Sequence, residues 1–130
     1  GRSGAIIVKD KKILTTGYVG SPPGLPHCDE VGHKLVTVVD ETGKESQHCI
    51  RTIHAEENAI LQAAEFGISV KGGTIYCKMV PCYRCAMKIV RVGIVRVVSR
   101  FRYHGDEDSL KIFDAKNIDL EVINDEVLKY

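Results

Sequence analysis

Apolar and polar positions along the 130-residue chain follow periods that predict a regular succession of strands and helices. Two short apolar runs, 4–9 and 12–18, flank a polar turn and predict a β-hairpin. Apolar residues at helical spacing, each run followed by a glycine, predict helices over 54–66 and 82–92. The remaining predicted elements are strands at 74–78, 94–99 and 119–123 and a helix at 109–116 with Asp108 as its N-cap.

This order of elements predicts the architecture. Strands that are joined through helices pair in parallel, and right-handed crossovers place the helices on the faces of the sheet. We therefore expect one α/β domain over residues 1–130, built as a three-layer α/β/α sandwich around a mixed five-stranded sheet. Because the chain starts at Gly1 and enters an apolar run almost at once, we also expect an N-terminal helix to be missing ahead of it.

The segment 19–53 is predicted to be mostly a long connection. Its prolines and glycines within 20–26 exclude regular structure there, and only 35–39 has the composition of a short strand. Connections of this length in a compact domain are usually functional or are held by something, often a metal ion.

Composition and charge restrict the class of protein. The 44% apolar and 27% charged residues are typical of a folded soluble domain. Eighteen Lys and Arg against seventeen Asp and Glu leave a net charge of +1, which argues against binding to nucleic acid. No apolar run approaches the roughly 20 residues that span a bilayer, so we expect no membrane contact. Five cysteines, an odd number, favour a reducing, cytoplasmic location.

Two motifs carry candidate chemistry. The first predicted helix opens with His54-Ala-Glu56, and the second opens with a Cys-x-x-Cys pair, Cys82 and Cys85, after a proline. Successive helix N-termini of a strand-helix-strand-helix unit lie at the same edge of the sheet. We therefore expect His54, Cys82 and Cys85 to hold a tetrahedral zinc ion whose fourth position stays open, as in catalytic sites. Glu56 would then lie close to the metal as a proton carrier.

Other interpretations of each motif are open. A closed structural zinc site or a buried helix-capping histidine would explain His54, and a thioredoxin-like dithiol would explain the cysteine pair. The combination favours the first interpretation, because His-x-Glu followed by Pro-Cys-x-x-Cys is the signature of zinc nucleobase deaminases.

Over residues 4–123 the chain resembles the deoxycytidylate (dCMP) deaminase family of the cytidine deaminase superfamily. The resemblance is carried by stretches 16–24, 27–29, 49–60 and 81–85, which read TGYVGSPPG, HCD, CIRTIHAEENAI and PCYRC. It implies zinc-dependent hydrolysis of dCMP to dUMP and ammonia, which supplies thymidylate synthesis. In that reaction a zinc-activated water attacks C4 of the cytosine ring, and Glu56 transfers protons to N3 and to the departing ammonia.

The resemblance also implies substrate contacts and partners. The backbone N–H of Ala55 corresponds to the group that holds the pyrimidine carbonyl, and candidates for contacting the monophosphate are Ser21, Arg51, Asn58 and Tyr103. Val19 stands where the family usually has an asparagine that contacts the sugar and ring. Family members are commonly homo-oligomers, often hexamers, and many are activated by dCTP and inhibited by dTTP.

A second zinc site is one of two alternatives for the long connection. Some family members hold a structural zinc there, and the candidate ligands in this chain are His27, Cys28, His48 and Cys49, of which Cys28 and His48 match best. The other alternative is a set of polar residues with two thiols that bind no metal.

Two alternatives to dCMP deamination remain at this point. One is deamination of another nucleotide or nucleobase. The other is a non-catalytic nucleotide-binding relative, which the valine at position 19 would suit.

Overall fold

The succession of elements agrees with the predicted one over most of the chain. The structure, a computed structural model, describes residues 2–128. Its strands and helices are β1 (Gly4–Lys9), β2 (Lys12–Tyr18), α1 (Cys28–Val31), β3 (Leu35–Val39), β4 (Glu45–Cys49), α2 (Ala55–Phe66), β5 (Thr74–Met79), α3 (Tyr83–Arg91), β6 (Arg96–Tyr103), α4 (Glu107–Ala115), β7 (Asp119–Val122) and β8 (Val127–Leu128).

The central sheet is mixed and has the strand order β2-β1-β5-β6-β7. β1 is antiparallel to both β2 and β5, whereas β5, β6 and β7 run parallel to one another. The short β8 adds a parallel pairing to the end of β6. The α/β class with a mixed sheet is therefore confirmed. The sheet has six strands, because the short β8 adds to the five that were predicted, and the three-layer arrangement stays a prediction.

One apolar core joins the sheet to the helices. Alternate residues of neighbouring strands point to the same side, so Ile7, Ile75 and Val97 lie together and are each 0% exposed. Ile89 of α3 and Phe113 of α4 belong to the same cluster. Among the described residues, none of the helices combines the length and apolarity that crossing a bilayer requires.

Gly17 sets how closely α2 approaches the sheet. A Cβ atom at this position would lie 2.3 Å from the carbonyl oxygen of Ala55 and 2.4 Å from the backbone nitrogen of Ala59. No side chain fits between β2 and the first turns of α2. The glycine therefore brings the N-terminal end of α2 directly against the sheet.

The segment 19–53 differs from the prediction. It contains the short helix α1 and an antiparallel pair, β3–β4, in which Leu35 lies opposite Cys49. This pair forms its own two-stranded sheet. β4 was not predicted because its sequence, Glu-Ser-Gln-His-Cys, is polar on both faces and has no apolar alternation.

Two predicted elements have wrong boundaries. α4 begins at Glu107, after Asp106, and not after Asp108. β6 begins at Arg96 and continues to Tyr103, whereas the prediction was 94–99. Arginines alternate with apolar residues along this extension. Its apolar content is therefore too low for composition alone to predict a strand.

Candidate active site

The N-termini of α2 and α3 meet at one edge of the sheet. His54 is the N-cap of α2, Cys82 is the N-cap of α3, and Cys85 lies in the first turn of α3. An isolated bridge between Gly20 and Ile53 ties the residue before His54 to the end of β2, through hydrogen bonds of 3.2 and 2.9 Å. The two motifs that are far apart in sequence are thus brought together by the fold.

The donor atoms of these three residues have the spacing of a metal site. His54 Nδ1 lies 3.6 Å from Cys82 Sγ and 3.4 Å from Cys85 Sγ, and all three donor atoms lie within 4.8 Å of one another. Ligands around tetrahedral zinc, at ordinary Zn–N and Zn–S lengths, are roughly 3.6 Å apart. One imidazole and two thiolates therefore fit zinc in both chemistry and distance.

Electrostatics at the start of α3 favour a thiolate at Cys82. The Cys85 thiol donates to Cys82, and together with His54 it lowers the pKa of Cys82 to about 4, despite the cost of burial. The same hydrogen bond with Cys82 raises the pKa of Cys85, and the contact with Cys82 also raises the pKa of His54. Thiolates are the form in which cysteine binds metal.

Glu56 supplies a buried carboxyl group beside the three donors. It lies in the first turn of α2 and is 8% exposed. Burial raises the pKa of its carboxyl group, and this effect outweighs the attraction of His54. A carboxyl group whose pKa is raised in this way takes up a proton more readily than an exposed one, which suits a group that transfers protons.

A neighbouring carboxylate links the two helices. Glu57 Oε2 accepts a hydrogen bond of 2.6 Å from Lys88 Nζ of α3, and its other oxygen accepts one of 3.4 Å from the backbone nitrogen of His54. Burial works against ionisation of Glu57, but the contact with Lys88 lowers its pKa. Glu57 therefore stays charged and holds α2 against α3 close to His54, Cys82 and Cys85.

The predicted substrate contacts lie around the same edge. Ala55 is 1% exposed at the first position of α2, where a backbone N–H has no intrahelical acceptor. Asn58 Nδ2 donates to the carbonyl oxygen of Tyr18 at 2.8 Å. Its amide therefore joins α2 to the end of β2, next to Val19.

The other three candidates are in contact with backbone or with a ring. Ser21 Oγ donates to the carbonyl oxygens of Pro26 and Arg51, at 2.8 and 3.2 Å. Arg51 Nε donates to the carbonyl oxygen of Gly32. Tyr103 is buried at the end of β6 with its ring edge-on to that of His104. Their roles toward a substrate stay predictions.

A second group of metal-binding side chains lies in the segment 19–53. Cys28, His33 and Cys49 have donor atoms within 4.8 Å of one another, and the two sulfurs are 3.6 Å apart. Thiolates around a tetrahedral zinc are about 3.8 Å apart, so this spacing also fits the metal. Of the predicted ligands, the structure brings Cys28 and Cys49 together, and it adds His33, which the sequence analysis did not single out.

The other two predicted ligands of the second site are placed elsewhere. The Nε2 atom of His48 forms a hydrogen bond of 2.9 Å with Ser46 Oγ. His27 Nδ1 accepts a hydrogen bond of 3.4 Å from the backbone nitrogen of Ser21. Neither residue belongs to the group formed by Cys28, His33 and Cys49.

The protonation of the second group resembles that of the first. Burial opposes ionisation of Cys49, but the backbone N–H of Arg51 and the side chain of His33 donate to its sulfur and lower its pKa to about 6. Burial and the contact with Cys49 raise the pKa of Cys28. One thiolate is therefore stabilised at this site as well.

The chain is similar to known proteins in both sequence and structure. Residues 1–100 match the family model of the cytidine and deoxycytidylate deaminase zinc-binding region. ComE operon protein 2 of Bacillus subtilis is 35% identical over 120 residues, 92% of this chain, and the chain spans 59% of that protein. Deoxycytidylate deaminase of Schizosaccharomyces pombe is 33% identical over 119 residues, and the chain spans 36% of its length.

Among solved structures, the fold is similar to that of dCMP deaminase from the cyanophage S-TIM5. The structure of that enzyme with dCMP and dUMP has a TM-score of 0.68 and 26% identity, and the match covers 98% of this chain and 80% of the enzyme. Its apo form gives a TM-score of 0.69 and 24% identity, covering 92% of this chain and 79% of the enzyme.

Proposed function

The chain belongs to the cytidine and deoxycytidylate deaminase family, a zinc-binding family, and from this membership we propose that it hydrolyses dCMP to dUMP and ammonia. The observation that carries the proposal is the group formed by His54, Cys82 and Cys85, with the buried carboxyl of Glu56 beside it. Support for the substrate comes from relatives named deoxycytidylate deaminase and from the cyanophage enzyme bound to dCMP and dUMP.

Metal binding and proton transfer would be carried out by different residues of this chain. His54, Cys82 and Cys85 would hold a zinc ion, which would supply the Lewis acidity that makes water nucleophilic near neutral pH. Glu56 takes a proton from the attacking water and places it on ring nitrogen N3. It then passes the second proton of that water to the amino group, so that the C4–N bond breaks and ammonia leaves as the C4 carbonyl forms.

Binding of the nucleotide is assigned to groups around the same edge. The backbone N–H of Ala55 is free of the helical ladder and can donate to the pyrimidine carbonyl. Ser21, Arg51, Asn58 and Tyr103 are the proposed contacts of the sugar and monophosphate. Val19 has no polar side chain to offer the sugar, so the backbone and the neighbouring Asn58 would have to replace the usual contact.

A spectrophotometric assay tests the proposed function. The zinc-loaded protein is mixed separately with dCMP, dCTP and cytidine, and loss of the cytosine absorbance band is followed. We expect dCMP to be turned over and cytidine not to be. Turnover of a different nucleotide would show that dCMP is not the substrate. Binding of dCMP without turnover would show that the chain is a non-catalytic relative.

We further propose that the protein is a cytoplasmic homo-oligomer, a hexamer, controlled by dCTP and dTTP. The chain exposes 8642 Å², whereas a compact monomer of 14.4 kDa exposes about 6,800 Å². The chain therefore leaves more surface exposed than a compact monomer of its mass, and partner subunits could cover part of it. None of the five cysteines forms a disulfide bond, which suits a reducing compartment.

The group formed by Cys28, His33 and Cys49 is proposed as a second, structural zinc site. The support is its donor spacing and the stabilised thiolate at Cys49. β3 and β4 bury few apolar side chains: Leu35 is 57% and Val39 is 59% exposed. A metal ion would supply folding free energy that apolar burial does not supply there.

A further inference from the structure

The peptide that carries the metal ligand Cys82 is held by a side chain of α4. Ser109 Oγ donates a hydrogen bond of 2.6 Å to the carbonyl oxygen of Pro81, the residue that precedes Cys82. Ser109 is 0% exposed, and Pro81 is below 2%. The hydrogen bond therefore lies in the core and satisfies a carbonyl that water does not reach.

The helix α3 does not use this carbonyl. Its first backbone hydrogen bond runs from the nitrogen of Ala86 to the carbonyl oxygen of Cys82, one residue later. A buried carbonyl without a partner costs free energy comparable to a lost hydrogen bond. Ser109 therefore fixes the Pro81–Cys82 peptide at a point where the helix cannot.

The part of α4 that carries Ser109 is itself anchored. Asp106, which precedes α4 and is 5% exposed, accepts two hydrogen bonds from Arg102 of β6, at 2.6 and 3.0 Å. On the other side of Pro81, the backbone nitrogen of Val80 donates to the carbonyl oxygen of Phe101. Both sides of Pro81 are thus connected to the end of β6, one directly and one through α4.

From these contacts we propose that Ser109 is a positioning residue of the metal centre. Its hydroxyl group holds the Pro81–Cys82 peptide so that Cys82 Sγ stays 3.6 Å from His54 Nδ1. Groups that hydrogen-bond a metal ligand directly are worth about 10- to 100-fold in metal affinity, and Ser109, which acts through the peptide before the ligand, is expected at the lower end of that range. The inference rests on the proposed zinc site at His54, Cys82 and Cys85, and it is independent of which nucleotide is the substrate.

The inference is tested by measuring the zinc affinity of the full chain in competition with a chromogenic chelator. The measurement uses a His33→Ala background, so that the second cysteine group does not contribute. We expect Ser109→Ala to bind zinc about 10-fold or more weakly, and Ser109→Thr, which keeps the hydroxyl group, to stay within about twofold of the parent.

The matched control is Ser99→Ala. Ser99 is also 0% exposed, and its hydroxyl group contacts Cys77 Sγ at 3.4 Å and no metal ligand. We expect this variant to bind zinc as the parent does, with a fall in the urea midpoint comparable to that of Ser109→Ala. Equal loss of zinc affinity in both variants would assign the effect to general loosening of the core and overturn the proposal.

A spectroscopic measurement distinguishes a displaced Cys82 ligand from a general loss of protein stability. In the cobalt-substituted protein, the bands of the Cys-ligated ion should shift in Ser109→Ala and be unchanged in Ser99→Ala. Unchanged affinity and bands in Ser109→Ala would overturn the proposal. If Ser109→Ala does not fold, Ser109→Thr decides: retained affinity supports the role of the hydroxyl group, and about tenfold loss contradicts it. Tight zinc binding without dCMP turnover would defeat only the proposed function.

Discussion

At the level of single residues, the candidate active site places one buried carboxyl group two positions after the proposed metal ligand His54. Glu56 is shielded from solvent, whereas Glu65 on the same helix is exposed. The raised pKa of Glu56 follows from its burial. The proposed chemistry needs a group that changes protonation during each turnover, and an exposed glutamate would stay ionised at neutral pH.

The substitution Glu56→Gln tests this role. Glutamine keeps the size and hydrogen bonding of the side chain but cannot carry the proton, so we expect turnover of dCMP to fall by about 10²- to 10⁴-fold. Zinc content and the thermal midpoint should stay close to those of the parent. Steady-state kinetics and metal analysis measure both.

Glu65→Gln is the control for the same chemical change, and it should leave turnover unaltered. If Glu56→Gln kept more than about a tenth of the activity, the proton transfer would have to be assigned to another group.

At the level of elements, the contact between β2 and α2 determines where His54 and Glu56 lie. Gly17 permits this contact because its missing Cβ would overlap the backbone of α2. Protein cores resist such overlap, since the surrounding backbone must move to relieve it.

We expect Gly17→Ala to destabilise the protein by about 3 kcal/mol and to weaken zinc binding as α2 is pushed away. Urea unfolding and chelator competition measure the two effects. Gly4→Ala on the neighbouring strand is the matched control, because its added Cβ would have its nearest neighbour at 3.7 Å, an ordinary contact. A stable, zinc-replete Gly17→Ala protein would contradict the close packing described here.

The ion pair at the start of α4 predicts a pH dependence of stability. Arg102 lowers the pKa of Asp106 below the value of about 3.9 that an unfolded chain has. The stabilisation is therefore fully present above about pH 5 and is lost as the pH falls through the lower, folded value. Asp106→Asn should cost about 1 kcal/mol at pH 7, a figure reduced for solvent screening because Arg102 is about one third exposed.

Urea unfolding of the parent and of Asp106→Asn from pH 7 to pH 3 measures this dependence. The difference between the two proteins should shrink toward acid pH. The control is Asp119→Asn, which removes an exposed ion pair with Arg96 and should change stability little at any pH. A difference that stays constant over the range would mean that Asp106 stabilises α4 without its charge.

Sequence periodicity predicted the elements that bury an apolar face in the core. It did not predict the elements that have no such face. α2 and β5 have clear apolar periods and were predicted within one residue of their bounds. β4 has none, because its stabilisation comes from pairing with β3 and from contacts of its last residue, Cys49.

Whether an element has a clear apolar period also explains which site residues could be predicted from the sequence. His54, Cys82 and Cys85 are recognisable because each motif opens a predictable helix. The second site depends on β4, and neighbouring residues of a strand point to opposite faces. Because Cys49 faces Cys28, the adjacent His48 points to the other face. Without knowledge of β4, the sequence offered no way to prefer His33 over His48.

At the level of the whole molecule, the two cysteine groups predict how much metal the chain holds. We expect about two zinc ions per chain by elemental analysis, one at each group. His33→Ala should reduce the content to about one, whereas His48→Ala should leave it near two. A parent protein that holds about one zinc would show that Cys28, His33 and Cys49 bind no metal under those conditions.

The hairpin of β3 and β4 lies apart from the central sheet, and its turn, residues 40–44, is held by the Asp40 carboxylate, which accepts from Thr42 and Lys44. Gly43 occupies the left-handed region there with nothing within 4 Å of its would-be Cβ. The buried core among the described residues includes none of residues 40–44, so this turn is a suitable place to attach a fluorophore or an affinity tag with which the proposed nucleotide binding can be followed.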